Sequence, residues 1–392
     1  MEKNFNEQNN EIQLLNKQNE IKNIINKVET KKFNNRIYGL DLLKIFSVIN
    51  IIILHIMMFG GRFLKLKPND KRYKATWNLE ALGYWGVNGF ALISGIVGYK
   101  KYKFSNLIYL WFLSSFYSII ITSFCYYYKI ISLNTLYLSI FPLLLSKLWY
   151  FNAYFCLYLF IPFINLGINN LNRNTYKNLI ILYFLFYSIY YIIGHSLLGK
   201  NNDFFYLQRG LSPLWLMTLY IVGAYYGKFI IPEKKSLSLK NTIHLIIIYF
   251  LSSFFTSQIF LLFKNDKYFC YISPSIVIQS ISLVILFSKI NIKRKCFIKI
   301  ISFFSQFTYS AIFIHLRIML PNIPLEQWFL KKVNTFSPDF FYIKIYCVAI
   351  IIYFLCSIID YFRLLLFNCL KIRELSIFIE KIITLILNEI KF

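Results

Sequence analysis

The chain has 392 residues, of which 57% are hydrophobic and 15% charged, and its mean hydropathy is +0.53; about a quarter of an ordinary water-soluble domain is charged. Apolar runs of about 20 residues, the length that crosses a bilayer as a helix, recur along it and exclude a soluble globular protein and a β-barrel. The net charge of +26 is not a nucleic-acid signature, because the Lys and Arg residues fall in the connections between apolar runs, as membrane topology requires.

In chain order, residues 1–35 are rich in Asn, Gln, Glu and Lys and lack an apolar face, so a loose cytoplasmic tail is expected. Apolar stretches follow at about 38–59, 78–99, 105–128, 148–168, 178–198, 211–231, 243–263, 271–288, 299–320 and 341–366. They predict an all-α integral membrane protein: a bundle of about ten transmembrane helices forming one domain over 36–366. The stretch 132–145 is too short to span and holds Pro142, which suits a re-entrant or interfacial piece. Residues 367–392 place Ile, Leu and Phe against Lys, Arg and Glu at helical spacing, the pattern of an amphipathic tail helix on the inner surface.

With the N-terminus placed inside, the inner connections carry more Lys and Arg than the outer ones, so both termini are expected to be cytoplasmic and the chain a multi-pass protein of the plasma or inner membrane. One outer connection, 60–76, goes against this bias with Arg62, Lys65, Lys67, Lys71, Arg72 and Lys74. No internal repeat is apparent, which argues against a transporter built from duplicated halves. The seven cysteines form no CxxC pair and mostly lie inside apolar runs, so they are expected to pack rather than to bridge or to bind a metal.

The first apolar stretch is the informative one. It begins at Arg36 and carries Asp41, Lys44 and His55 where lipid would favour none. Lys44 and His55 are eleven residues apart, which puts them on one helix face about 16 Å apart along the axis. Ionisable groups in such a position mark a site. Asp41 needs a partner, and Lys44, one turn away, is the nearest. Farther along, His315 lies near the outer end of the ninth stretch at a depth similar to His55, and Glu80 lies at the outer start of the second. Ser94-Gly95 has the form of a small-residue helix contact, and Trp149 that of an interfacial aromatic belt.

These residues also carry a resemblance. The pattern Arg36…Leu40-Asp41-Leu-Leu-Lys44-x10-His55 resembles the first span of the membrane-bound acyltransferase-3 family, whose hallmark is a basic residue, ten spacers and a His. Val87-Asn-Gly-Phe-Ala-Leu-Ile-Ser94-Gly95 is similar to that family's "FFxxSGY" stretch, and the segment from Trp149 through Tyr154 and Tyr158 to Pro162 to its "WF…LYL…P" helix. Leu219-Tyr-Ile-Val-Gly223-Ala resembles its "YLxGA" element, and Ser305 to His315 its near-terminal "S…G-I-Y-L-I-H". Lys44 stands where Arg is commoner, Ala311 and Phe313 where Gly and Tyr are usual, and the family's Arg-x-x-Arg pair is absent from the stretch Lys100-Lys101-Tyr-Lys103.

The resemblance implies an O-acyltransferase that moves acetyl from cytoplasmic acetyl-CoA to a hydroxyl of an extracytoplasmic polysaccharide or its lipid-linked precursor. It implies His55 as general base, with Asp41 in the catalytic set. Arg36, Lys44, Lys100 and Lys101 suit the donor's phosphates, and Glu80, Ser94, Trp149, Tyr154 and His315 fall on the acceptor side or serve structure. The implied partners are an acyl-CoA donor, a carbohydrate acceptor and the lipid bilayer, with no permanently bound cofactor, no metal and no nucleic acid. A polysaccharide exporter or polymerase of the same pathway is the alternative. The outer connections, of about twenty residues at most, are short for a polymerase, and a non-catalytic scaffold is the third possibility.

Overall fold

The computed structural model describes residues 36–59, 66–100, 102–144, 149–198, 203, 205–232, 237–263, 268–318 and 335–389. The predicted tail 1–35 and Lys101 lie outside them. By its contacts the chain divides into Met1–Tyr38 and Gly39–Phe392, and the bundle belongs to the second unit.

Among the described residues, each of the ten predicted apolar stretches is mostly helical. The first is α1 (Tyr38–Phe59), followed by α2 (Lys71–Gly83), α3 (Gly86–Gly98), α4 (Phe104–Tyr127) and the short α5 (Leu133–Leu138). Next come α6 (Trp149–Asn170), α7 (Arg173–Tyr183), which runs through a wide turn at Phe184–Tyr190 into α8 (Tyr191–Leu198), and α9 (Pro213–Tyr225). The chain ends with α10 (Leu239–Phe263), α11 (Pro274–Ser288), α12 (Lys295–Ser305), α13 (Thr308–Ile318), α14 (Phe341–Cys369) and α15 (Ile372–Glu389). Among the described residues, seven helices are long and apolar enough to cross a membrane. The pair α12–α13, bent by 43° at Gln306–Phe307, adds an eighth if it forms one span. The other two stretches fall short: α11 has 15 residues, and α9 has 13 before its wide turn. Hydropathy alone therefore finds more spans than the helix lengths support. The stretch 132–145 holds α5 and a single turn at Pro142–Leu144, too little to span.

Local signals set the helix starts. Asp70 accepts from Arg72 N at 2.8 Å, Asn172 from Thr175 N at 2.9 Å, and Ser212 from Trp215 N ahead of Pro213 at the first position of α9. Helix α1 and the stretch Arg72–Gly98 lie deepest, each with an apolar window 67% buried, against 17% for Arg173–Gly194. Leu43, Val48, Ile52, Ile53 and Ile56 are buried. Rim helices expose Phe250, Leu251 and Phe254 of α10 and Ile351, Leu355 and Phe362 of α14; apolar bands of this size suit lipid rather than water.

One close helix crossing joins two of the sequence motifs. A Cβ on Gly95 would fall 2.0 Å from the Tyr220 carbonyl oxygen, and one on Gly223 would fall 2.0 Å from that of Leu92. Helices α3 and α9 meet backbone to backbone, which only glycine allows at these two positions. The crossing fixes Ser94, the neighbour of Gly95, on the adjacent face of α3.

Candidate functional site

Helix α1 carries two polar groups at its two ends. At its beginning, Lys44 Nζ donates to Asp41 Oδ1 at 3.0 Å. Asp41 is buried, whereas Lys44 keeps 29% of its side chain exposed, so the ammonium faces open space while the carboxylate holds it. Arg36 precedes the helix in the first unit, with its guanidinium 5.9 Å from the Tyr38 ring.

The open space beside Lys44 is a cavity of about 490 Å³. Its wall on α6 is a ladder of Tyr150, Tyr154 and Tyr158 at i, i+4, i+8 spacing, with Tyr150 stacked on Tyr154 at 6.1 Å. The Tyr158 hydroxyl donates to the Lys103 carbonyl at 2.9 Å, which sets the lower rung at the α3–α4 connection. Two turns of α6, about 12 Å, separate that rung from Tyr150. Ser94 and Gly98 of α3, Tyr102, Asn106, and Thr308 and Tyr309 of α13 also line it, together with apolar side chains. Ser94 Oγ donates to its own helix at Phe90 O, 2.9 Å away. Two residues expected on the acceptor side, Ser94 and Tyr154, thus share a cavity with Lys44. Lys100 is exposed at the end of α3, 5.3 Å from the Tyr99 ring, and does not line it.

At the far end of α1, His55 meets His315 of α13. His55 Nδ1 and His315 Nε2 are 2.7 Å apart, although the residues are separated by 260 positions in sequence. His315 Nδ1 lies 2.5 Å from the Ala311 carbonyl oxygen. A carbonyl only accepts, so His315 Nδ1 carries the proton and its Nε2 is the acceptor. His55 must then donate from Nδ1, which makes its Nε2 the basic nitrogen of the pair. His315 is buried at 1% exposure. It lies six residues beyond Tyr309, about 9 Å along α13 from the cavity lining. Phe313 fills the space between, against Tyr309 at 5.3 Å and Phe151 at 5.8 Å. Asp41, by contrast, is fourteen residues from His55, about 21 Å along α1; its geometry is that of a holder of Lys44.

Glu80 is buried in α2, and Trp149 stacks on Tyr271 with ring centroids 5.7 Å apart. The sequence reading did not single out a second buried charge cluster. In α14, Arg363 Nε and Nη2 donate to Asp360 Oδ1 and Oδ2, each at 2.8 Å. Tyr117 of α4 donates to Asp360 at 2.6 Å, and Arg363 Nη1 donates to the Tyr109 hydroxyl at 2.8 Å. The available signal was a carboxylate with an Arg one turn later inside an apolar run.

Among protein-family models, one for an acyltransferase domain of the acyltransferase-3 type matches residues 37–362, most of the chain. No curated protein and no solved structure matches.

Proposed function

This chain belongs to the membrane acyltransferase-3 family, and from that premise we propose that it is an O-acyltransferase whose chemistry is centred on His55 and His315. The observation that carries this reading is the 2.7 Å contact between the two imidazoles inside the family domain.

Acyl transfer from a thioester to a hydroxyl needs a base at the hydroxyl, and a neutral imidazole serves near neutral pH. His55 Nε2 takes the hydroxyl proton as the alcohol oxygen bonds to the thioester carbonyl carbon. The imidazolium so formed shares its Nδ1 proton with His315 Nε2, and the Ala311 carbonyl holds His315 in the accepting tautomer. When the C–S bond breaks, the thiolate leaves and takes a proton back, which regenerates the neutral pair. His315 thus stabilises the charge that appears on His55.

The donor in this reading is cytoplasmic acetyl-CoA. Its phosphates call for cations, and Lys44, held by Asp41 at a cavity lined by hydroxyl-bearing side chains, suits them. Lys100, exposed just beyond α3, and Arg36, eight residues before Lys44 in sequence, add positive charge. Asp41 acts by orienting Lys44. The acceptor is an extracytoplasmic polysaccharide hydroxyl that approaches the His55 end. The membrane is the cell membrane, with both termini inside, residues 36–366 as the catalytic domain and α15 as the amphipathic tail helix.

The test is surface-glycan acetylation in cells that make the protein or its His55→Ala variant at matched membrane levels. Acetyl signals in the proton NMR spectrum of the glycan should appear with the native chain and vanish with the variant. Equal acetylation by both would remove His55 from the chemistry.

A further inference from the structure

Glu80 stands outside both the imidazole pair and the Lys44 cavity. It lies on the stripe Trp77, Glu80 and Ala81 of α2 and Tyr84 at its C-terminal cap, at i, i+3, i+4, i+7 spacing. It is 7% exposed, and its Oε2 finds no hydrogen-bond donor among the described residues. A buried carboxylate oxygen without a donor is strongly disfavoured, and the other buried acids among the described residues, Asp41 and Asp360, are each paired with a cation. A group that brings hydroxyl protons to Oε2 would resolve it.

The surroundings say which kind of group. Tyr84 lies 4.8 Å from Tyr271 between ring centroids, and Trp149 stacks on Tyr271 at 5.7 Å and 29°. Tyr84 follows Glu80 by four residues, one helical turn, and so stands on the same side of the chain. The three rings are half-buried and keep part of their surface open, while Glu80 is buried. The platform is fixed by its backbone: the Tyr271 carbonyl accepts from Asn88 Nδ2 at 2.7 Å, and its N–H donates to the Arg209 carbonyl at 3.1 Å. Trp149 also packs edge-on against Tyr150, a lining residue of the donor cavity. The aromatic row therefore abuts the end of that cavity.

Electron-rich ring faces attract the polarised C–H face of a pyranose, and a carboxyl oxygen accepts a hydrogen bond from a ring hydroxyl. We propose that Trp149, Tyr271, Tyr84 and Glu80 form a binding subsite for an uncharged sugar ring of the acceptor, with Glu80 fixing a hydroxyl other than the one acylated. This rests on the reading of the chain as a glycan O-acyltransferase and adds the place and chemistry of acceptor recognition.

The experiment uses the full chain purified in detergent. The probe is oligosaccharide released by mild acid from the surface glycan of the source cell and de-esterified with base. Calorimetry gives its dissociation constant, and the constant for acetyl-CoA is measured on the same samples. Glu80→Gln and Trp149→Ala should each weaken oligosaccharide binding at least tenfold and leave acetyl-CoA binding unchanged; Trp149→Phe, which keeps a ring face, should fall between. Native oligosaccharide affinity in Glu80→Gln and Trp149→Ala, or no saturable binding by the native chain, overturns the subsite. The two readings fail separately. If the native chain acetylates the oligosaccharide and Glu80→Gln leaves its KM unchanged, the subsite falls and the function stands. If oligosaccharide binding depends on Glu80 but no acyl group is transferred, the subsite stands and the function falls.

Discussion

Two polar constellations lie inside this bundle, and they follow opposite plans. The Asp360–Arg363 pair is closed: both carboxylate oxygens take a guanidinium N–H, Tyr117 adds a further donor to Asp360, and Tyr109 receives Nη1. Its charges cancel and its bonds tie α14 to α4. The His55–His315 pair is directional: a chain of hydrogen bonds pinned at the Ala311 carbonyl that runs through His315 Nε2 to His55 Nδ1. A closed network holds helices together, whereas a directional one can take up a proton. In a membrane interior, where unsatisfied polarity is costly, the bonding pattern separates scaffold from chemistry better than the presence of charge does.

The sharpest break in the comparison is at His55. His55→Ala should lower transfer by about 10²–10⁴-fold, the usual contribution of a general base, with the folded protein still present in the membrane. His315→Leu should also lower the rate by removing the acceptor for the Nδ1 proton. His315→Gln, whose amide oxygen can accept from His55, should retain more activity than the Leu variant. Initial rates with purified protein decide this. Equal rates for the Leu and Gln variants would reduce His315 to a packing residue.

The closed network should respond in the opposite way. Asp360→Ala leaves the Arg363 guanidinium buried without its counter-charge, a loss of about 3–5 kcal/mol. The measurement is the amount of folded protein in the membrane and its thermal unfolding in detergent. The double change Asp360→Leu with Arg363→Met should recover much of the loss, because an apolar pair of similar volume needs no desolvation. Turnover per folded molecule should stay near native in both. A drop as large as that of His55→Ala would move this network into the chemistry and end the comparison. Tyr117→Phe, which removes one bond to the same carboxylate, should cost about 1.5–3 kcal/mol in the same unfolding assay.

How far each feature could be read from the sequence follows from the range of the interaction behind it. The Asp41–Lys44 pair is three residues apart, and local spacing was enough to suggest it. Asp360–Arg363 has the same spacing but sits near the end of a long apolar run, where charges look like a boundary, and it was not singled out. His55 was visible as an ionisable group in an apolar stretch, and His315 as one at similar depth. Their bond was not visible, because it depends on how α1 and α13 meet across 260 positions. The bend between α12 and α13 was hidden for a related reason: Gln306-Phe307 breaks the helix without breaking the apolar run. Tyr84 and Tyr271 gave no signal, since tyrosine is common throughout this chain and only stacking distinguishes these two.

The smallest expected effect tests the other end of α1. Lys44 contributes one cation to a polyanionic donor, and its side chain is partly exposed beside the cavity. One charge-assisted contact in such a setting is worth about 1.4 kcal/mol, or tenfold in affinity. Lys44→Ala should therefore raise KM for acetyl-CoA about tenfold with little change in kcat, and Lys44→Arg should restore most of the affinity because it keeps the charge. Asp41→Asn should lie between native and Lys44→Ala, since it loosens the ammonium without removing it. The opposite split, a fallen kcat at native KM, would mean that Lys44 acts on the reacting thioester. The two ends of α1 would then share one task, although about 16 Å of helix separates them.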